Sequence, residues 1–562
     1  MHRALAVPEL VLRIVDMFVI GTGETDDDGP YAVDKPALAA CARTCRAFHL
    51  PATAALWKDQ DLVIETVLLH CMPADLWEVR RETSSVFYKR DVDRLVVRRP
   101  IRHEDLGRLL IVAPLVNKLI FGWAANVYNR DVAKELTQES YLHLASVLPD
   151  GIFSGLRHLV WESQSANLSY LPVFLAPSLT SLHLQYIETS GPHLDIISSL
   201  PERCPDITQF HLKILPFDDF GFDNNAKEDV KSRLARLVRA WNLRGLVTNV
   251  SAYNSLENLG QLTSLRSLFI TFENDLVATP VTCQPGSFRF MRDVFLNRVN
   301  MRTLIALLQS STFHSLTRMT LRAPVDANPG DWSILLRAVR SAVIRPESVE
   351  TLFIEEGHYM AAEVPHESME PITDSDLTPL FDFHNLALLF LELPGGFDLQ
   401  GATIDRMAKS LPRLQGLSLK TQLPPRSQRR LALSVLAPFA LHCPHLELLR
   451  LDLDARGKAS PSSPPPTYQP CSLGSLDVGW SPITSSRAVA EYLSAWFPQL
   501  AAVGCDRDSD SSSRWERVQK RLAAAQMARE VARLEDEGES TAAAMARLDG
   551  ENTVESSEEE AE

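Results

Sequence analysis

The sequence predicts a mixed α/β architecture, a short helical segment followed by a curved solenoid of parallel strands. Three observations predict it. The unit Leu-x-x-Leu-x-Leu recurs along most of the 562-residue chain. Its copies follow one another with a period of about 30 residues, close to that of known solenoid repeats. The stretches between copies read as helices, several of them ended by a proline just before the next copy.

The unit itself is a strand pattern, because alternate residues of a strand share one face. The clearest copies are Leu179/Leu182/Leu184, Leu386/Leu389/Leu391, Leu414/Leu417/Leu419 and Leu446/Leu449/Leu451. Looser copies begin at Val116, Leu156, Ile207, Leu265, Leu316, Val349 and Leu473, and weaker ones at Leu243, Met291 and Leu500. Helical patterns cover Asp405–Leu411, Leu431–His442 and Ala488–Phe497, and Pro412, Pro444 and Pro498 end them. One such unit cannot bury its apolar face alone, so successive units must stack. Residues 81–505 therefore read as leucine-rich repeats with their strands on the concave face. The open strand positions include His183, Gln185, Phe269, Thr271, Arg318, Thr320, Arg322, Phe353, Glu355, Phe390, Glu392, Ser418, Lys420, Arg450 and Asp452.

The two ends have a different texture. In residues 1–80, Pro8 stands where a helix begins, and Leu10, Ile14, Met17 and Phe18 fall on one face. A second helical face carries Leu38, Cys41, Ala42, Cys45 and Phe48, and a third apolar cluster carries Ala55, Leu56, Trp57 and Leu62. Three short helices make a small core that commonly needs a partner. In residues 506–562, Trp515, Val518, Leu522 and Ala525 mark a helix between Arg514 and Leu534. It caps the last repeat, lies solvated, or binds an acidic partner. Beyond it, Glu535 to Glu562 holds eleven acidic residues against Arg547, an acidic tail read as disordered. The prolines between residues 457 and 472 read as a loop, and Pro461 with Pro464 as a weak PxxP.

Composition excludes several functions. The net charge of −15 argues against nucleic acid, which needs a basic surface. No stretch is apolar enough for a membrane helix. Eight scattered cysteines do not form a disulfide framework, and the charged N-terminus is not a secretory signal, so an intracellular location is expected, cytoplasmic and/or nuclear. Glu24–Gly29 imitates a calcium loop but lacks its twelfth-position glutamate. Cys41 with Cys45, and Cys443 between His442 and His445, lack a second ligand pair, and the cysteines read as core residues. Gly21-Thr22-Gly23 lacks the rest of a phosphate loop. No nucleophile–base motif is present, so no catalytic residue, cofactor or metal ion is expected.

Pro8-Glu9-Leu10 with Ile14, then Cys41-x-x-x-Cys45-x-x-Phe48, then Leu56-Trp57, resembles an F-box. An F-box followed by leucine-rich repeats is the layout of the F-box/leucine-rich-repeat proteins, fungal families included. The Leu-x-x-Cys-Pro-x-Leu texture of Leu200–Ile207 and Leu441–Leu446 resembles their repeats as well. The chain departs in Val7-Pro8, where the family has Leu-Pro, and in the long segment Gly21–Pro36. The resemblance implies a substrate-recognition subunit of a cullin–RING ubiquitin ligase. Pro8, Glu9, Leu10, Ile14, Phe48, Leu56 and Trp57 would dock on a Skp-family adaptor. The concave face, with Phe269, Arg318, Arg322, Phe353, Phe390 and Arg450, would hold the protein substrate. A plain repeat scaffold with no ligase role is the alternative, and adaptor co-purification separates the two.

Overall fold

We describe the chain from a computed structural model. The structure describes residues 7–20, 32–58, 62–84, 90–122, 134–162, 165–187, 193–214, 224–249, 259–272, 284, 286–323, 330–356, 370–393, 395–421, 430–457, 464–465, 470–506 and 511–536. Glu24–Gly29, Gly21–Gly23, Cys283, Pro461 and the tail from Glu537 onward lie outside them. The chain divides into two compact units, Met1–Glu273 and Asn274–Glu562, and the division falls inside the stretch 81–505.

The first unit opens with the helices α1 (Pro8–Asp16), α2 (Lys35–Thr44) and α3 (Arg46–Lys58). Pro8 starts α1 as its missing N–H permits, and the Asp34 side chain caps α2 by accepting from Ala37 N–H at 2.9 Å. Between α1 and α2, β1 (Val19–Ile20) pairs antiparallel with β2 (Ala32–Val33). Val15, Leu38 and Ala52 form the buried centre, with Phe18, Cys41, Ala42, Phe48, Ala55 and Leu56 packed around it. Then come β3 (Leu62–Val63), α4 (Ile64–Cys71), β4 (Trp77–Ser84), β5 (Arg90–Val97), α5 (Gly107–Val112), β6 (Lys118–Gly122) and β7 (Lys134–Leu136). The strands β8 (His158–Glu162), β9 (Ser181–Ile187), β10 (Gln209–Ile214), β11 (Gly245–Thr248) and β12 (Ser267–Thr271) follow. The order β3-β6-β8-β9-β10-β11-β12 is parallel throughout. A hairpin interrupts it: β4 and β5 are antiparallel and β7 joins β5. The sequence pattern did not anticipate this three-stranded sheet.

The second unit holds β13 (Asp293–Asn297), β14 (Arg318–Ala323), β15 (Thr351–Glu356), β16 (Ile372–Thr373), β17 (Leu388–Leu393), β18 (Phe397–Asp398), β19 (Gly416–Thr421), β20 (Leu431–Ala432), β21 (Leu448–Leu451), β22 (Leu453–Asp454), β23 (Ser475–Asp477) and β24 (Ala502–Gly504). Its parallel order is β13-β14-β15-β17-β19-β21-β23-β24, with the short pairs β16–β18 and β20–β22 beside it. Helices Met301–Ser310, Asp331–Ala342, Gly401–Ser410, Leu436–His442 and Ser486–Trp496 connect the strands. The stretch Leu431–His442 is not one helix as expected. It begins as β20, tightens into a 3₁₀ turn at Leu433–Val435, and only then becomes α-helical.

The leucine pattern works in both units through one device. The first apolar residue of each copy is buried at the turn before the strand, and the next two point inward from it, as in Leu386, Leu389 and Leu391. The two residues after the first position both donate their N–H groups to a single carbonyl of the preceding turn. Thr180 and Ser181 donate to Arg157, Glu350 and Thr351 to Thr317, Ala387 and Leu388 to Glu350, and Gln415 and Gly416 to Ala387. A carbonyl oxygen has two lone pairs and can take both donors. This rung turns the chain into the sheet at a fixed point and sets the register.

At the far end of the second unit, the helix Ser512–Asp536 packs on the helix Ser486–Trp496 and on β24. Trp515, Val518 and Leu522 are buried, and Trp515 Nε1 donates to the Ser481 carbonyl at 2.7 Å. The Gln519 amide meets the strand edge. Its Oε1 accepts from Val503 N–H at 2.6 Å and its Nε2 donates to the Ala501 carbonyl at 2.6 Å. A side chain thus supplies the hydrogen bonds that another strand would give, covering an edge that would otherwise invite pairing.

Candidate interaction surfaces

The helical start of the first unit presents one face inward and one outward. Val11 and Val15 of α1 are buried, whereas Leu10 is 43% and Met17 79% exposed, with Ile14 half-buried between them. Val15 and Phe18 face the small core and Val11 is buried as well, so of the face Leu10, Ile14, Met17 and Phe18 that the spacing suggested only Phe18 packs on that core. The reason is a wide apolar arc around α1, from which spacing alone cannot pick the buried half. Pro8 and Glu9 are exposed at the start of the same helix. Phe48 and Leu56 pack on the core, and Trp57 is half-buried on α3. Leu12 and Leu50 add further exposed apolar side chains. An exposed apolar set of this kind on a small helical unit is suited to taking up a partner helix.

The open face of the second unit is built by register. One row runs through Phe295, Thr320, Phe353, Phe390, Ser418, Arg450 and Asp477, each beside the next on neighbouring strands, though Ser418, expected open, is buried. The row beside it runs through Asn297, Arg322, Glu355, Glu392 and Lys420. Phe353 and Phe390 stack with centroids 4.5 Å apart and planes 13° apart. The Phe390 ring spreads over Gly416, where a Cβ would stand 3.2 Å from Phe390 Cε2 and 2.9 Å from Leu388 Cδ2. Glycine at that position lets the ring lie flat.

The arginines of this face are engaged from within the chain. Arg318 pairs with Asp293 at 2.7 Å. Arg322 pairs with Glu355, and its guanidinium lies 5.2 Å from the Phe295 ring centroid. Arg450 sits between Glu392 at 3.4 Å and Asp477 at 3.9 Å, and Lys420 reaches Asp477 at 3.5 Å. Partly exposed pairs of this kind are each worth less than about 1 kcal/mol. Their effect is to hold long side chains in place around the phenyl pair and to balance the local charge. Glu355 and Glu392 were legible as open-face positions, Asp293 and Asp477 were not, and which acid would reach which arginine was not legible either. Phe269, the remaining aromatic candidate, belongs to the first unit, on β12, and is 38% exposed.

The open face of the first unit has another character. Val160, His183, His211, Val247 and Phe269 form its row. The His183 and His211 rings stack at 3.6 Å, and His183 Nε2 lies 3.0 Å from Gln185 Oε1. Burial pushes the imidazoles down, His183 to about 4 and His211 to about 3, the latter helped by His183 beside it. Both are neutral at pH 7. The signal for this pair was present in the strand sequences Ser181-Leu182-His183-Leu184 and Gln209-Phe210-His211-Leu212, which place histidine in the same slot of adjacent copies.

Among the described residues there is no group of three or more His, Cys, Asp or Glu suited to a metal ion. Cys41 and Cys45 are half-buried on the small helical unit, and Cys443 is buried, its thiol pushed up to about 12 by burial. Among the described residues no helix is long and apolar enough to cross a membrane.

No family model matches the sequence, and no curated protein matches it. Among solved structures the chain is similar to the crystal structure of the Rad7 and Elc1 complex in yeast. The match covers 63% of this chain and 78% of that one, with a TM-score of 0.35 and 16% identity. A likeness this distant leaves the functional reading to the chain's own residues.

Proposed function

We propose that the chain is a substrate-recognition subunit of a cullin–RING ubiquitin ligase, with an F-box-like start and a leucine-rich-repeat body. In this reading residues 1–80 dock on a Skp-family adaptor through Leu10, Ile14 and their neighbours. Residues 81–505 offer strand faces to a protein substrate, and the chain itself performs no chemistry. Tethering converts a bimolecular encounter between substrate and ligase into a local one.

The observation that carries the reading is the coexistence of two features in one chain. A small helical unit leaves Leu10 and Met17 outward on α1, and parallel strands with open aromatic and charged rows follow. Helix-in-groove docking of the first, and side-chain recognition by the second, need no active site. The test is affinity purification of the full chain from its own cells with mass spectrometry, beside Leu10→Ala/Ile14→Ala. Each buried interface anchor is worth about 2 kcal/mol on truncation, so the double variant should weaken adaptor capture by about 1000-fold. Adaptor and cullin peptides should vanish while repeat-bound partners stay. Undiminished adaptor capture by the variant would reject the assignment. Absence of adaptor from the wild-type preparation would leave the repeat scaffold as the reading.

A further inference from the structure

We propose that Glu65 is a proton-sensitive clasp, holding β7 against α4 while its carboxyl is protonated and releasing it on ionisation. Glu65 lies in the first turn of α4 and is fully buried. Its Oε1 accepts the Leu136 N–H of β7 at 3.2 Å, a contact between residues 71 apart in sequence. Its Oε2 is buried with no hydrogen-bond partner. A carboxylate there would be a buried charge with no donor on Oε2, a cost that outweighs the Leu136 N–H bond favouring it.

Charged residues on the elements packed against α4 include Arg108 on α5, Lys118 on β6 and Glu135 on β7. Glu135 opposes ionisation of Glu65 and is itself bound to Arg94 at 2.9 Å, while Arg108 acts on Cys71. Burial, the largest influence, pushes the carboxyl up from 4.5 to about 8. The β7 strand also belongs to the β4–β5–β7 sheet, which is otherwise pinned through Ser140: its Oγ donates to the Leu95 carbonyl at 3.0 Å and accepts from Val97 N–H at 3.2 Å. The Leu136 amide is thus the point where the small sheet answers to the protonation of α4.

The sign follows from linkage. The closed state keeps its proton to about pH 8, whereas the opened carboxyl releases it near its ordinary value. The opening equilibrium should therefore rise about tenfold per pH unit from about pH 5 to pH 8, then level off. The clasp stands independently of the proposed function.

The test is amide hydrogen exchange of the full-length protein between pH 6 and pH 7.5. Intrinsic exchange rises about tenfold per pH unit, so an ordinary amide gives a slope of about one in log rate against pH. Leu136 should give a slope of about two, an excess of about 30-fold over the range, and Glu65→Gln should return it to one. A slope of one in wild type overturns the proposal, as does a slope of two that survives Glu65→Gln. Should that variant fail to fold, β10 (Gln209–Ile214) of the same unit in the wild-type protein is the reference. A slope of two at Leu136 and one at the reference supports the clasp, and a slope of two at both shows global opening and overturns it.

Discussion

Gln519→Ala tests whether the terminal helix closes the sheet of the second unit as the structure indicates. The substitution removes two hydrogen bonds, those of Val503 N–H and the Ala501 carbonyl. Each is worth about 0.5–1.5 kcal/mol net. Ala501 is exposed and Val503 half-buried, so water replaces part of the loss. A cost of about 1–2 kcal/mol is expected at this edge, or roughly a tenfold loss of protection at Val503. Because a chain of two units need not unfold in one step, the assay is residue-level hydrogen exchange rather than a melting temperature. Gln519→Glu sharpens the test. The carboxylate still accepts from Val503 but faces the Ala501 carbonyl with no proton to donate. Only the neutral acid reproduces both bonds, so its folded pKa is raised above the unfolded value of about 4.3. The protective effect is then fully present below that value and lost as pH rises through the folded pKa. Near pH 7 the glutamate variant should be worse than alanine, and it should recover on acidification. Unchanged Val503 exchange in Gln519→Ala, or a glutamate variant indifferent to pH, would refute the reasoning.

Two further outcomes follow from the faces of the sheets. The His183 and His211 imidazoles, held neutral by burial, should show no titration above pH 5 in proton NMR. Because their folded values lie below the ordinary 6.5, unfolding binds protons, and stability should fall as pH drops below about 6.5; His211→Phe, which keeps a ring, should blunt that loss. Gly416→Ala should tilt the Phe390 ring and cost about 1 kcal/mol, measured by hydrogen exchange along β19 against Gly457→Ala, whose Cβ meets nothing within 4 Å.

Much of the body was legible because one physical requirement repeats. Every copy from Val116 to Leu500 leads into a parallel strand two residues on. Even the weak copies at Leu243 and Met291 do so, since burial tolerates Thr248 or Val294 where leucine is absent. The β4–β5 hairpin escaped because Trp77, Val79, Leu95 and Val96 carry no repeat spacing, and only pairing across the hairpin reveals it. The buried half of α1 escaped because Val11 and Val15 are no more apolar than Leu10 and Ile14; for Val15, packing with Leu38 and Ala52 decides. The strand faces were half legible. Alternation placed Phe353 and Phe390 outward, but their stacking depends on lateral register, and the neutralisation of Arg450 involves Glu392, 58 residues away.

The shared carbonyl at the start of each strand has a consequence for how such a chain can change over generations. The stretch from Glu350 to Ala387 is far longer than that from Arg244 to Arg266, yet each ends on a doubly accepting carbonyl oxygen, that of Glu350 in one and of Arg244 in the other. Extra residues inserted on the return path are absorbed before the chain reaches that anchor, so a length change in one turn does not propagate to its neighbours. New loops can therefore be tried one turn at a time, without renegotiating the alignment of the rest.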